Sequence, residues 1–397
     1  MSRAGAAEHF YPKFSQQEYA RRYGLLRRLM EEQRLAGAIV YGGYKEMYQG
    51  NGRWLTGLRE GMQFYAFFPL KGAPAAWNAL YPHLLGAQRM SAIPDTQWGG
   101  PSIAHTVARK IKLLGVDRHR IGLVGVHSRR GITLPMDHYL IWKDELPHAE
   151  FVNITRAVED LQFAKSDEEI AFYRRGAQYT DETMAALIRA VKPGASEINL
   201  FGRIVGAAYE CGGQLDFALL GSTPMADPDM PYPWHVPSER VVHEGDVVLN
   251  EISVSYGGCS GQLIVPVSVG QPTPEYRDLY ALARQCLNTV AHALRPGATQ
   301  DDILEAARII PDAGLVAQAP IIHGWPNPPM APILPLGREA ETYNAEPFIL
   351  RDRMLIVIEP NPATQDLRRG MFLGALHVVT PEGGRSLHEH PLEFAVV

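Results

Sequence analysis

Two glutamates stand where a carboxylate is costly. Glu251 sits in the apolar run that begins at Gly245-Asp-Val-Val, and Glu359 in the run that begins at Arg353-Met-Leu-Ile. Both runs read as buried strands, where an ionised carboxylate needs a compensating partner. A structural salt bridge is the plain reading of such a residue, and a place in a functional cleft is the other. Two histidines supply imidazoles. His235 lies between Pro233 and Pro237, on a segment stiff enough to hold a side chain towards a cleft; His323 follows the apolar Ala319-Pro-Ile-Ile and precedes Gly324 and Trp325. A neutral imidazole accepts a proton from water near neutral pH, and carboxylates stabilise positive charge without a metal.

The elements that must position these groups show an internal echo. Residues 188–198, with Lys192-Pro-Gly-Ala-Ser-Glu, resemble residues 291–301, with Arg295-Pro-Gly-Ala-Thr-Gln. Each copy reads as a helix end, a Pro-Gly turn, a Ser or Thr N-cap and a second helix. Each is followed by a strand bearing a glutamate, Glu251 five residues after Asp246 and Glu359 five after Met354. Two halves related by a pseudo-twofold would turn both glutamates into one central cleft. Upstream, Ser166 with Glu169 forms a capping box for a helix to about Ala190. Earlier still, residues 16–33 read as an amphipathic helix, 36–41, 54–57, 63–68 and 121–126 as strand elements, and 109–114 as a short helix. This alternation implies an α/β domain over residues 1–154, followed by an α+β domain over 155–397.

Length agrees, since 397 residues exceed what one core usually holds. A net charge of -5 gives no electrostatic reason to expect nucleic acid or an anionic membrane, and a small-molecule or short-peptide substrate fits better. No apolar run reaches the roughly 20 residues of a membrane span, and residues 1–10 lack a basic, then apolar, leader; the expected location is the cytoplasm. Cys211, Cys259 and Cys286 are three in number with no CxxC spacing, which indicates neither disulfides nor a zinc knot. Glycines 122 and 125 make no dinucleotide fingerprint.

Taken in order, the segment 161–170, the Lys192 turn, His235 with Glu244-Gly-Asp-Val-Val, His323-Gly, and Ile358-Glu-Pro resemble the creatinase, prolidase and aminopeptidase P family of pita-bread proteins. The resemblance covers about residues 155–397, and Ala38-Ile-Val with residues 48–57 look like that family's N-terminal domain. It implies five metal-ligand positions, which here hold Glu251, Gln262, His323, Glu359 and Gly374. A neutral amide and a glycine cannot balance two dications, so the expectation is no metal cofactor, with weak binding of a single divalent ion left open. Where the peptidases place a second histidine about seven residues beyond the first, this chain has Met330 and Ala331.

Creatinase is the branch that works without metal. The resemblance therefore implies a metal-independent hydrolase of a C–N bond in a small cationic or zwitterionic substrate, with His235 as acid/base, Glu251 and Glu359 stabilising positive charge, and His323 assisting. Gln262, Tyr256, Trp325, Arg338 and Arg59 are the candidate substrate contacts, with Arg351 and Glu60 beside them. It also implies a homodimer in which N-terminal residues such as Arg59 complete the partner's site. The alternatives are a lyase or cyclase using the same base, an Xaa-Pro metallopeptidase with a reduced metal site, and a non-catalytic binding module. His388 and His390 read as surface residues, without a metal.

Overall fold

The computed structural model describes residues 12–43, 50–59, 61–126, 134–325, 332–336 and 347–397. Arg338 and Glu60, and the 330–331 positions, lie outside them. The chain divides into a first unit that runs through Gln162 and a second that begins at Phe163.

In the first unit, helix α1 (Gln16–Glu32) is capped by Ser15, whose side chain accepts the Glu18 amide. Helix α2 (Gly50–Thr56) occupies the place read above as a strand at 54–57. Four residues are too few to separate the two periodicities. The Thr56 hydroxyl bonds back to the Gly52 carbonyl at 2.8 Å, and Gly57, at φ +70°, ends the turn. Six strands follow the order β4 (Asp95–Trp98), β3 (Ala75–Asn78), β2 (Phe64–Pro69), β1 (Gly37–Gly42), β5 (Arg120–Val124), β6 (Glu150–Asn153). Helix α3 (Ile103–Leu113) packs on one face, and Leu26, Met30, Ile154 and Val158 pack in the core of the other.

The second unit opens with α4 (Asp167–Ala190), where Ser166 and Glu169 form the expected capping box, and continues with α5 (Glu197–Glu210) capped by Ser196. Its eleven-stranded sheet has the core order β14 (Ile333–Pro335), β13 (Pro320–Gly324), β15 (Leu355–Ile358), β17 (Gly374–Thr380), β10 (Leu263–Ile264), β8 (Asp246–Tyr256), β11 (Val267–Ser268), β19 (Ala395–Val396), with β7 (Gln214–Pro224) and β9 (Cys259–Ser260) also on β8 and β18 (Gly383–Ser386) on β17; β12 (Val316–Ala317) and β16 (Pro362–Ala363) pair separately. Helices α6 (Pro274–Ala293) and α7 (Gln300–Ala307) pack on the second half as α4 and α5 do on the first. No helix among the described residues is long and apolar enough to cross a membrane.

The internal echo is built into the backbone. Gly194 donates to Val242 at 2.9 Å and Val242 to Ala195 at 2.8 Å; in the second half Gly297 donates to Leu350 and Leu350 to Ala298, both at 2.8 Å. Four residues on, the match continues. The His243 amide donates to the Asp246 carboxylate at 2.8 Å, and the Arg351 amide to the Met354 sulfur at 3.0 Å. Gly245 and Arg353, the matching positions, both have positive φ, and each donates its amide to the neighbouring strand, at Val269 and Val379.

Candidate active site

Five adjacent strands, β13, β15, β17, β10 and β8, each bring one of the five positions to the same face of the sheet. Strand alternation sets this. Ile322, Ile358, Ala375, Leu263 and Ile252 turn into the helix-covered cores, so their neighbours His323, Glu359, Gly374, Gln262 and Glu251 turn the other way. All four polar side chains are buried, between 1% and 8% exposed, in a setting where each needs a partner.

Gln262, His323 and Glu359 meet. The Gln262 amide nitrogen donates to Glu359 Oε1 and lies 3.5 Å from His323 Nε2, which is itself 3.2 Å from the same Glu359 oxygen. His323 Nδ1 lies 3.1 Å from the Gly324 carbonyl, an acceptor that requires a proton on Nδ1. Nε2 can then hold the second proton of an imidazolium against Glu359 or present a lone pair to the amide. The Trp325 indole donates to the Ser260 carbonyl at 2.6 Å and its ring lies 5.9 Å from that of His323, which braces the turn after β13.

Among the described residues, Gln262 Oε1 and Ser253 Oγ, both buried, have no protein partner. Continuing the Leu263 to Ile252 register places Ser253 opposite Gln262. Tyr232, buried, donates its hydroxyl to the Met371 carbonyl at 2.8 Å. Burial, then the Glu359 charge and then Tyr276, hold its pKa well above the ordinary phenol value, so it remains a neutral hydrogen-bond donor.

His235 is placed differently. It is exposed, its carbonyl accepts from Leu220 of β7, and its ring Nδ1 lies 3.2 Å from the Pro233 carbonyl. Leu219, next to Leu220, pairs with Glu251, which puts the His235 segment beside the Glu251 strand. What holds this segment is a group not singled out above. Glu197, with no exposed surface, accepts from the amides of Ser222 and Ser238 at 2.7 and 2.9 Å and from their hydroxyls at 2.6 and 2.7 Å. Arg240 then bridges Ser222 to both oxygens of Asp246. The visible signal was an acid directly after the N-cap Ser196, a position that normally serves only the helix dipole.

The other candidates fall outside this cluster. Tyr256, an odd number of residues from Glu251, faces the helices and stacks on Phe172 and Tyr179 at 5.0 and 6.0 Å, so it does not wall the cleft. Arg351 lies over the Phe163 ring. Arg59 belongs to the first unit and is partly exposed. Cys259 is buried, its carbonyl against Gly176 of α4. His388, read as a surface residue, has a fully buried side chain whose Nδ1 lies 2.6 Å from Asp181.

The residues present do not fit a pair of metals. The Gln262 amide offers Glu359 a donor where an anionic ligand would be needed, and a Cβ at Gly374 would meet the Ile358 carbonyl at 2.7 Å and Glu359 Cγ at 3.0 Å, leaving no room for a carboxylate there. Among the described residues no three His, Cys, Asp or Glu side chains converge as a metal-binding group.

A small α/β domain followed by a duplicated α+β domain with its cleft on the sheet defines the pita-bread architecture of prolidases and aminopeptidases P. The chain belongs to metallopeptidase family M24, whose sequence pattern matches residues 171–381. It is similar to the probable dipeptidase PepE of Mycobacterium tuberculosis, at 26% identity over 97% of this chain and 98% of the relative. Among solved structures it resembles dipeptidase PepE from Mycobacterium ulcerans (TM-score 0.75, 24% identity, 97% of this chain and 99% of the other). It also resembles an Xaa-Pro dipeptidase from Bacillus anthracis (TM-score 0.76, 19% identity, 96% and 100%).

Proposed function

We propose that the chain hydrolyses the C–N bond of short peptides in the cleft of Glu251, Gln262, His323 and Glu359, without a pair of metal ions. The observation that carries the peptide class is the end-to-end likeness to the probable dipeptidase PepE, together with family M24 membership. In this reading Glu359 and His323 move the proton between water and the leaving amine, each holding it in turn through their 3.2 Å contact. Gln262 Oε1 and Ser253 Oγ, lacking protein partners, receive polar groups of the substrate. His235, exposed, meets the substrate from the solvent side.

The metal-independent, creatinase-like reading, with a cationic substrate between Glu251 and Glu359, is kept as the second. What favours it is the neutral Gln262 and the closed space at Gly374. A panel of Xaa-Pro dipeptides, proline-free dipeptides and guanidino compounds, followed by mass spectrometry with and without chelator, separates the two. Dipeptide cleavage that Glu359→Gln abolishes supports the first. Turnover of guanidino compounds alone shifts the case to the second, and full activity of Glu359→Gln removes the mechanism from both. Assembly as a homodimer that brings Arg59 to a partner's cleft is part of the same proposal; a monomer by sedimentation with full activity contradicts it.

A further inference from the structure

We infer that Gln262 is a positioning residue that does the work of a cation in this cleft. Its amide places the positive end of a dipole on Glu359 and lies 3.5 Å from His323 Nε2, so one neutral side chain holds a buried carboxylate and a buried imidazole together. Without it, among the described residues, Glu359 would be a buried acid with only the His323 imidazole to balance it. The sheet between Glu359 and Gln262 is closed to match: strand β17 lies between their strands and runs so near Ile358 that a Cβ at position 374 would crowd its carbonyl. The cleft is therefore assembled around an amide, and it differs here from the metallopeptidase pattern that its family name describes. The inference concerns how the cleft is held and is independent of which bond is cut.

The test needs no substrate. Wild-type protein, Gln262→Asp and Gln262→Leu are dialysed against manganese chloride or zinc chloride, then against buffer, and analysed for bound metal and for melting temperature with and without chelator. The expected wild type retains well under one equivalent and melts at the same temperature in chelator and in manganese. Gln262→Asp adds a third carboxylate beside Glu251 and Glu359; it is expected to melt below wild type in chelator, to retain about one equivalent of manganese, and to recover several degrees on adding it, since a ligand that binds only the folded state raises its stability. Gln262→Leu removes the amide without supplying a donor, so it melts lower and metal does not rescue it.

Stoichiometric metal in wild type with a melting temperature that chelator lowers overturns the inference. So does a Gln262→Asp protein that neither gains metal nor is rescued by it. A failed search for peptide substrates would leave these outcomes unaffected, which keeps this inference and the proposed activity separately testable.

Discussion

Glu359 has two neighbours that pull on one oxygen, the Gln262 amide and the His323 imidazole, and its replacement should be felt through both. Glu359→Gln and His323→Ala are each expected to lower kcat/KM by about a hundredfold or more, with the double variant little worse than the poorer single one, as for groups that act as a unit; steady-state kinetics on the peptide found in the screen measures both. Circular dichroism should be unchanged in Glu359→Gln. The glutamates were legible in the sequence because a carboxylate in an apolar strand needs a reason. Gln262 was legible only by its spacing from Glu251. The burial of His388 was not legible at all, because its partner Asp181 is 207 residues away and no local pattern announces such a pairing.

Secondary-structure elements set two further expectations. Strand β17 approaches β15 so closely that Gly374→Ala should cost about 1–3 kcal/mol of overpacking, read as a fall in the urea midpoint. Helix α5 sends Glu197 into the loop that carries His235, and Glu197→Gln leaves some of its four donors without an acceptor; a loss of about 2–4 kcal/mol and a red shift in the emission of the neighbouring Trp234 are expected. Helices with caps were readable because a capping box is written within four residues, as at Ser166. The stretch 54–57 was not, because an apolar quartet fits a strand or one turn of helix equally, and packing of Leu55 and Thr56 in the first core chose the helix.

At the scale of the whole molecule, the two units carry buried titratable groups of opposite sense. In the second, burial above all, opposed by the Ala375 carbonyl, lowers the His377 pKa from 6.5 to about 4; the unfolded chain takes the proton first, so this stability is full above pH 6.5 and is lost as pH falls towards 4. In the first, burial raises Glu159 from 4.5 to about 7; the unfolded chain releases the proton first, so that contribution is full below pH 4.5 and is lost as pH rises through 7. Each is on the order of 3 kcal/mol. Calorimetry at pH 4.5 and 6.5 should show acid weakening the second unit through His377 and strengthening the first through Glu159, and the variants His377→Asn and Glu159→Gln should each remove one of these trends. That two domains exist followed from length, and that the second is duplicated followed from the Pro-Gly echo; their pH responses depend on burial, which no motif records. The duplicated turns carry a last consequence. One amide, at His243, is held by a carboxylate that Arg240 also clamps, and its counterpart at Arg351 by a thioether, a weak acceptor. In deuterium the Arg351 amide should exchange well before that of His243, so transient opening of the second domain begins on its C-terminal half.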